Sequence, residues 1–155
     1  MNKFDISKLE KSVREVPDFP KPGIKFKDIT PILINPKLLS MSIEALASHV
    51  DSSSIDKIIG IDARGFIFGS LLANLLGKGF IPVRKEGKLP WQTESQAYDL
   101  EYGKSVIEIH KDAIRPGDKV LIVDDLLATG GTINACIKLI NTATAVTSAQ
   151  RKMNI

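Results

Sequence analysis

Two adjacent carboxylates, Asp124 and Asp125, close the strand expected at residues 119–123, and Ala128, Thr129, Gly130, Gly131 and Thr132 follow just beyond them. Glycines let successive backbone N–H groups converge on an anion, and a helix opening behind them adds about half a positive charge. The hydroxyls of Thr129 and Thr132 are further donors. A phosphate monoester fits that cradle. The carboxylates would repel a phosphate but accept hydrogen bonds from vicinal sugar hydroxyls. The pattern therefore asks for both groups in one molecule, a ribose 5-phosphate. The plainer alternative is a strand-to-helix turn with two solvated aspartates. No Gly-Lys-Ser/Thr follows and no GxGxxG is formed, so neither common nucleotide-binding fingerprint applies.

Other reactive side chains are scattered. Arg64 follows Asp62 and Ala63 between an apolar run and a helical pattern; alone it reads as a surface arginine. Arg84, Lys85 and Lys88 cluster after a second apolar run, and such a cluster is commonly a solvated face. Glu101 stands between Tyr98 and Tyr102 in a polar stretch, where an exposed acid on a flexible hairpin is the simplest reading. Phe26, between Lys25 and Lys27, suits a core as well as a binding surface. Cys136 lies in a helical pattern and reads as a small core residue. His49 and His110 have no second ligand at metal spacing.

These residues need elements to hold them. A helix is expected over residues 7–16, with Ile6, Leu9, Val13 and Val16 on one face and Ser7 with Glu10 as a capping box. Pro17, Pro20, Pro22 and Gly23 then force an extended loop. Residues 24–33 alternate. Asn35 caps a helix that starts at Pro36 and runs to about Val50, its apolar face being Leu39, Ile43, Leu46 and Val50. A strand at 57–61, a helix at 65–76 stopped by Gly77, and a strand at 80–84 follow. Residues 85–102 read as a polar, mobile loop. A strand at 105–110, a turn at 115–118, the strand at 119–123 and a helix at 132–140 complete the pattern. Strands alternating with helices predict an α/β fold with a parallel sheet. Ligands of such sheets bind beyond the carboxyl ends of the strands, where Asp124 falls.

A chain of 155 residues suffices for one domain with a real core. Its 43% hydrophobic and 25% charged residues are ordinary. The net charge of +3 is mild, and no basic run marks a nucleic-acid or membrane patch; a small positive surplus suits anionic small molecules. No apolar run approaches the roughly 18 residues of a membrane span, and no signal-peptide layout is present. One cysteine allows no intramolecular disulfide. A reducing, cytoplasmic setting is expected.

"VLIVDDLLATGGT" closely resembles the phosphoribosyl pyrophosphate-binding signature of the type I phosphoribosyltransferases. "VPDFPKPGIKFKDITPIL", "GIDARGFIFGSLLA", "VRKEGKLP" and "YDLEYGKSVIEIHKDAIRPGDKV" are similar to the adenine-specific branch of that family, in register from residue 13 to residue 140. The resemblance implies a single domain over residues 1–155 with an open, mostly parallel sheet flanked by helices. It implies an adenine-recognition segment within residues 1–35 and a flexible lid or hairpin over 85–110. The implied reaction joins adenine to phosphoribosyl pyrophosphate, giving AMP and pyrophosphate. Magnesium would be bound through the sugar diphosphate, with no dedicated protein ligand. A homodimer is implied, and no nucleic-acid or membrane partner.

By the same resemblance, residues 128–132 hold the 5-phosphate, and Asp124 and Asp125 hold the ribose hydroxyls. Ala63 and Arg64 belong to the pyrophosphate loop, joined by Arg84, Lys85, Lys88 and Tyr102. Main-chain groups of Lys25, Phe26 and Lys27 read the base, with the Phe26 ring on one face and Leu126 as the opposite wall. Glu101 is the acid/base on the lid, and Tyr98 with Tyr102 closes over the diphosphate.

After Ile140 the resemblance ends. The family continues with an apolar strand, a Gly-Arg motif and further strands, whereas this chain reads "NTATAVTSAQRKMNI". Residues 141–155 are expected to be an atypical tail, truncated or frame-shifted. The C-terminal strands would be missing, and a bare sheet edge would stand near residues 119–123. Three readings stay open: the adenine-specific enzyme, a transferase for another base, and an inactive or sensing protein that binds phosphoribosyl pyrophosphate. The "PDFPxPGIxFxDITP" block argues against the second.

Overall fold

Prolines and short polar caps shape the first fifty residues of the chain. A computed structural model describes residues 6–99 and 103–153, with side chains followed to residue 144. Internal contacts group the chain into two compact units, Met1–Val50 and Asp51–Ile155.

The first unit holds α1 (Ile6–Ser12), β1 (Arg14–Pro17), β2 (Lys25–Asp28), α2 (Thr30–Leu33) and α3 (Pro36–Ala47). The helix expected over 7–16 stops at Ser12. Residues 14–17 instead pair antiparallel with β2, Val16 opposite Phe26 and Glu15 opposite Lys27. The proline-rich loop is the hairpin connection. Asp18 (φ 55°) and Gly23 (φ 86°) reverse the chain, and the Gly23 N–H donates to Asp18 Oδ1 at 2.7 Å. Asn35 caps α3 as expected, accepting from the N–H groups of Lys37 and Leu38. The buried stripe of α3 is Leu38, Ile43 and Ala45, while Leu46, expected inside, is exposed.

The second unit holds β3 (Lys57–Ile61), α4 (Gly65–Leu76), β4 (Gly79–Lys85), β5 (Thr93–Asp99), β6 (Lys104–His110), β7 (Val120–Val123) and α5 (Gly131–Met153). The sheet order is β5-β6-β4-β3-β7. β3 runs parallel to β4 and β7; β6 alone is reversed, pairing antiparallel with β4 and β5. β3 is buried on both faces and reads as an unbroken apolar run. Ile59, Ile61, Ile81 and Val83 share a core with Ala135, Cys136, Leu139 and Ala143 of α5. Gly60 faces α4. A Cβ there would lie 2.7 Å from the Phe80 ring and 2.9 Å from the Gly65 carbonyl oxygen, so only glycine lets the helix press so closely on the sheet.

Two expectations need correction. Residues 85–102 are not one loop: a tight turn leads into β5, which pairs with β6 over its whole length and rests Tyr98 on the core. Ser95, Ala97 and Asp99 lie on its exposed face, while Glu94 and Gln96 share the half-buried face of Tyr98. Nor does the last helix end at Ile140; it continues to Met153. The threonines are accommodated because the hydroxyls of Thr142 and Thr144 donate back to the carbonyls of Lys138 and Ile140. Among the described residues β7 is a sheet edge, with β3 as its strand neighbour.

Candidate functional site

The carboxyl ends of β3 and β7 and the opening of α5 enclose a cavity of about 460 Å³. Residues 62–64 and Lys85 line one side, residues 124–133 the other, with Tyr98 also on the wall. All of them belong to the second unit.

The loop before α5 is built for exposed donors. Gly130 takes φ 81°, a left-handed conformation that costs glycine little and other residues more. Its carbonyl accepts the Asn134 N–H at 2.9 Å, which starts the helix. Among the described residues, the bonded N–H of residues 128–132 is that of Gly131, held loosely by the Thr129 hydroxyl at 3.4 Å. The first N–H groups of a helix have no partner within it, so this loop offers an anion several donors at once.

Asp124 and Asp125 differ. Asp124 Oδ1 accepts the Asp125 N–H at 2.9 Å. Burial pushes the Asp124 carboxyl above its ordinary range against that bond, and the Asp125 charge adds to the rise. The Asp125 side chain is only 8% exposed and meets Arg64 Nε at 2.7 Å. Beneath them Cys136 is fully buried. Its thiol is pushed up to about 12, chiefly by burial and then by the Asp124 charge, so it is a core group and no nucleophile.

Residues 62–64 form the opposite wall, with a cis peptide between Asp62 and Ala63. The sequence places Asp62 and Gly65 in the pyrophosphate loop by resemblance but gives neither a role of its own. The Asp62 carboxylate, 10% exposed, takes Arg84 Nε at 3.3 Å and Lys88 Nζ at 3.7 Å. Gly65 opens α4 directly against the carboxylate pair: a Cβ would stand 2.8 Å from the Val123 carbonyl oxygen and 3.1 Å from Asp124 Oδ1. A carboxylate at a strand end was the available signal for Asp62; for Gly65 there was none beyond its place after Arg64. The three expected cations divide. Lys85 lines the cavity, while Arg84 and Lys88 turn to Asp62, and Arg84 Nη1 donates to the Lys88 carbonyl at 3.1 Å.

Leu126 lines the cavity and is half exposed; its neighbour Leu127, unremarked in the sequence, lines it too. Lys25, Phe26 and Lys27 lie on β2 in the other unit. There Lys25 and Lys27 both pair with Glu15, and the Phe26 ring meets Phe19 edge-on at 5.2 Å. A two-stranded ribbon turns the main-chain groups of every second residue away from the ladder. Glu101 and Tyr102 lie outside the described residues.

The family model for the phosphoribosyl transferase domain matches residues 28–149. An adenine phosphoribosyltransferase of Yersinia pseudotuberculosis is 57% identical over 132 residues, 85% of this chain and 71% of that protein. The crystal structure of adenine phosphoribosyltransferase from Rhodothermus marinus superposes with a TM-score of 0.83 at 55% identity, covering 89% of this chain and 78% of that one. The Saccharomyces cerevisiae enzyme, solved with D-2,5-dideoxy-2,5-imino-altritol 1,6-bisphosphate and adenine, gives 0.85 at 42% identity over 88% and 80% of the two chains.

Proposed function

The chain belongs to the adenine phosphoribosyltransferases, within the phosphoribosyl transferase domain family, and on that basis we propose how its residues carry out the transfer. The 5-phosphoribosyl group of phosphoribosyl pyrophosphate passes to N9 of adenine, giving AMP and pyrophosphate in purine salvage. The lone pair of N9 forms the new bond at the anomeric carbon, and the bond to the diphosphate oxygen breaks with its electron pair. The ribose ring becomes positively charged while the diphosphate gains negative charge. A site helps by holding both charges in fixed fields and by aligning the base.

The N–H groups of residues 128–132 bind the 5-phosphate. Asp124 and Asp125 accept from the ribose hydroxyls, and their charge favours the cationic ring. Ala63, Arg64 and Lys85 receive the diphosphate, with Arg84 and Lys88 released to it from Asp62. Lys25, Phe26 and Lys27 read adenine; Leu126 gives the cavity of the second unit an apolar wall. Glu101 handles the proton at the imidazole edge of the purine, and Tyr102 closes over the diphosphate. The observation that carries this reading is one cavity holding a carboxylate pair, a donor-rich loop and a basic wall together.

Magnesium, a hard ion with oxygen ligands and retained waters, fits as a passenger on the diphosphate, because, of the three carboxylates lining the cavity, Arg64 holds Asp125 while Arg84 and Lys88 hold Asp62. When bound it neutralises charge on the leaving group. Among the described residues no helix is long and apolar enough to cross a membrane. A cytoplasmic homodimer completes the proposal, supported by the family resemblance and the single cysteine.

The test is turnover with magnesium and phosphoribosyl pyrophosphate, offering adenine, hypoxanthine, guanine and orotate separately. AMP formed from adenine alone is expected. Turnover of another base in preference, or none at all, contradicts the reading.

A further inference from the structure

Glu108 lies on β6, away from the cavity, yet its contacts lead back to it. In register it stands opposite Arg84 on one side and Ser95 on the other. Its Oε2 accepts the Gly87 N–H at 3.0 Å, and its Oε1 accepts the Thr93 hydroxyl at 3.4 Å. Gly87, at φ 76°, is the crest of the turn at residues 85–88. That turn is also closed by the Lys88 N–H on the Lys85 carbonyl at 3.3 Å, and the Glu86 N–H reaches Val106 at 3.1 Å. Arg84 Nη1 holds the Lys88 carbonyl from the β4 side. The turn therefore carries two cations and is fastened from both neighbouring strands.

Resting on the proposed transferase reading, we infer that Glu108 is a positioning residue for the reaction. By accepting the Gly87 N–H it fixes the 85–88 turn, so that Lys85 and Lys88 meet the diphosphate already ordered. A side-chain oxygen at this reach accepts the Gly87 N–H whether it belongs to a carboxylate or an amide, so the acceptor's position fixes the turn. A side chain locked by such supporting bonds spends less of its binding free energy on ordering. Glu108 itself touches no substrate in this scheme. Its effect falls on the diphosphate half of the molecule and spares the base.

Two variants separate geometry from charge. Glu108→Gln keeps the length: its oxygen can accept the Gly87 N–H while its amide donates to Thr93. Glu108→Asp keeps the charge and withdraws the acceptor. In Glu108→Asp the KM for phosphoribosyl pyrophosphate, and for pyrophosphate in the reverse direction, is expected to rise about tenfold. The KM for adenine and kcat should stay within about twofold, and Glu108→Gln should match wild type within the same margin. The proposal is overturned if Glu108→Gln is the impaired variant, if kcat falls with no change in KM, or if both substrates are affected alike. Amide exchange at Gly87 gives a second readout that needs no turnover. Protection in wild type and Glu108→Gln with loss in Glu108→Asp is expected; equal protection in all three overturns the anchoring. If wild type makes no AMP, the transferase reading falls while exchange still decides the anchor.

Discussion

Arg64 Nε and Asp125 Oδ2 lie 2.7 Å apart, so the arginine assigned to the diphosphate is bonded to a carboxylate assigned to the ribose. In the proposed reading the two halves of one substrate meet residues that already hold each other. Binding must exchange this ion pair for two sets of bonds to the ligand. Arg64→Gln removes one side and leaves Asp125 charged at 8% exposure. Because Arg64 is partly exposed, the loss should fall between that of a surface pair and a buried one, about 1–2 kcal/mol in urea unfolding. Asp125→Asn in the same chain should recover most of it. An unchanged midpoint in the single variant would show that the pair carries no stability.

Asp124 is the costly member of the pair. Its folded pKa is raised above the ordinary 3.8, so between those values the folded state binds more protons, and stability falls as pH rises across that window. Above it, the ionised carboxylate costs stability. Asp124→Asn should therefore melt higher than wild type at pH 7, with the gap closing below pH 3.8. Its kcat/KM should drop by about 10–100-fold, the loss of charged acceptors for the diol. A variant that melts lower at neutral pH would contradict the assigned cost.

Gly65 is tested by a single methyl. Gly65→Ala pushes against the Val123 carbonyl, a backbone atom at 2.8 Å, and α4 or β7 must shift. A destabilisation of about 1–3 kcal/mol is expected, together with a raised KM for phosphoribosyl pyrophosphate, since Asp124 lies in the same contact. Thermal unfolding and steady-state kinetics together check it; normal values in both would mean that the contact relaxes freely.

At the opposite pole, Lys57 Nζ donates to Asp118 Oδ2 at 2.6 Å and to the Ala113 carbonyl at 2.9 Å. The Lys57 bond, then the Arg115 N–H, hold the Asp118 carboxyl below its ordinary value. A depressed carboxylate stabilises fully above its unfolded pKa and loses that stabilisation as pH falls through the folded one. Asp118→Ala should cost about 1–3 kcal/mol at pH 7, with a difference from wild type that shrinks below pH 3.8 and no change in KM. A constant gap down to pH 2 would contradict the titration.

The elements around β3 and α4 were legible because local signals agreed. An apolar run, a helical period and a stopping glycine set residues 57–61 and 65–76 without tertiary help. β1 was hidden because its residues also fit a helical face, and only pairing with β2 decides between the two. β5 was hidden because one face of the ribbon is open to water, leaving a polar sequence. In the continuation of α5 the hydroxyls of Thr142 and Thr144 are satisfied by bonding back along the helix, which composition does not reveal. In the site, the chain-local groups were readable: the carboxylates, the loop and Arg64. Asp62 and Glu108 act across strands, so their roles exist only once the sheet sets the register.

Calorimetric titration of the chain with phosphoribosyl pyrophosphate and magnesium tests the central claim most directly. The account predicts saturable binding at one site per chain, displaced by AMP and weakened at least tenfold by Asp125→Ala. No binding, or binding indifferent both to AMP and to that substitution, would contradict it.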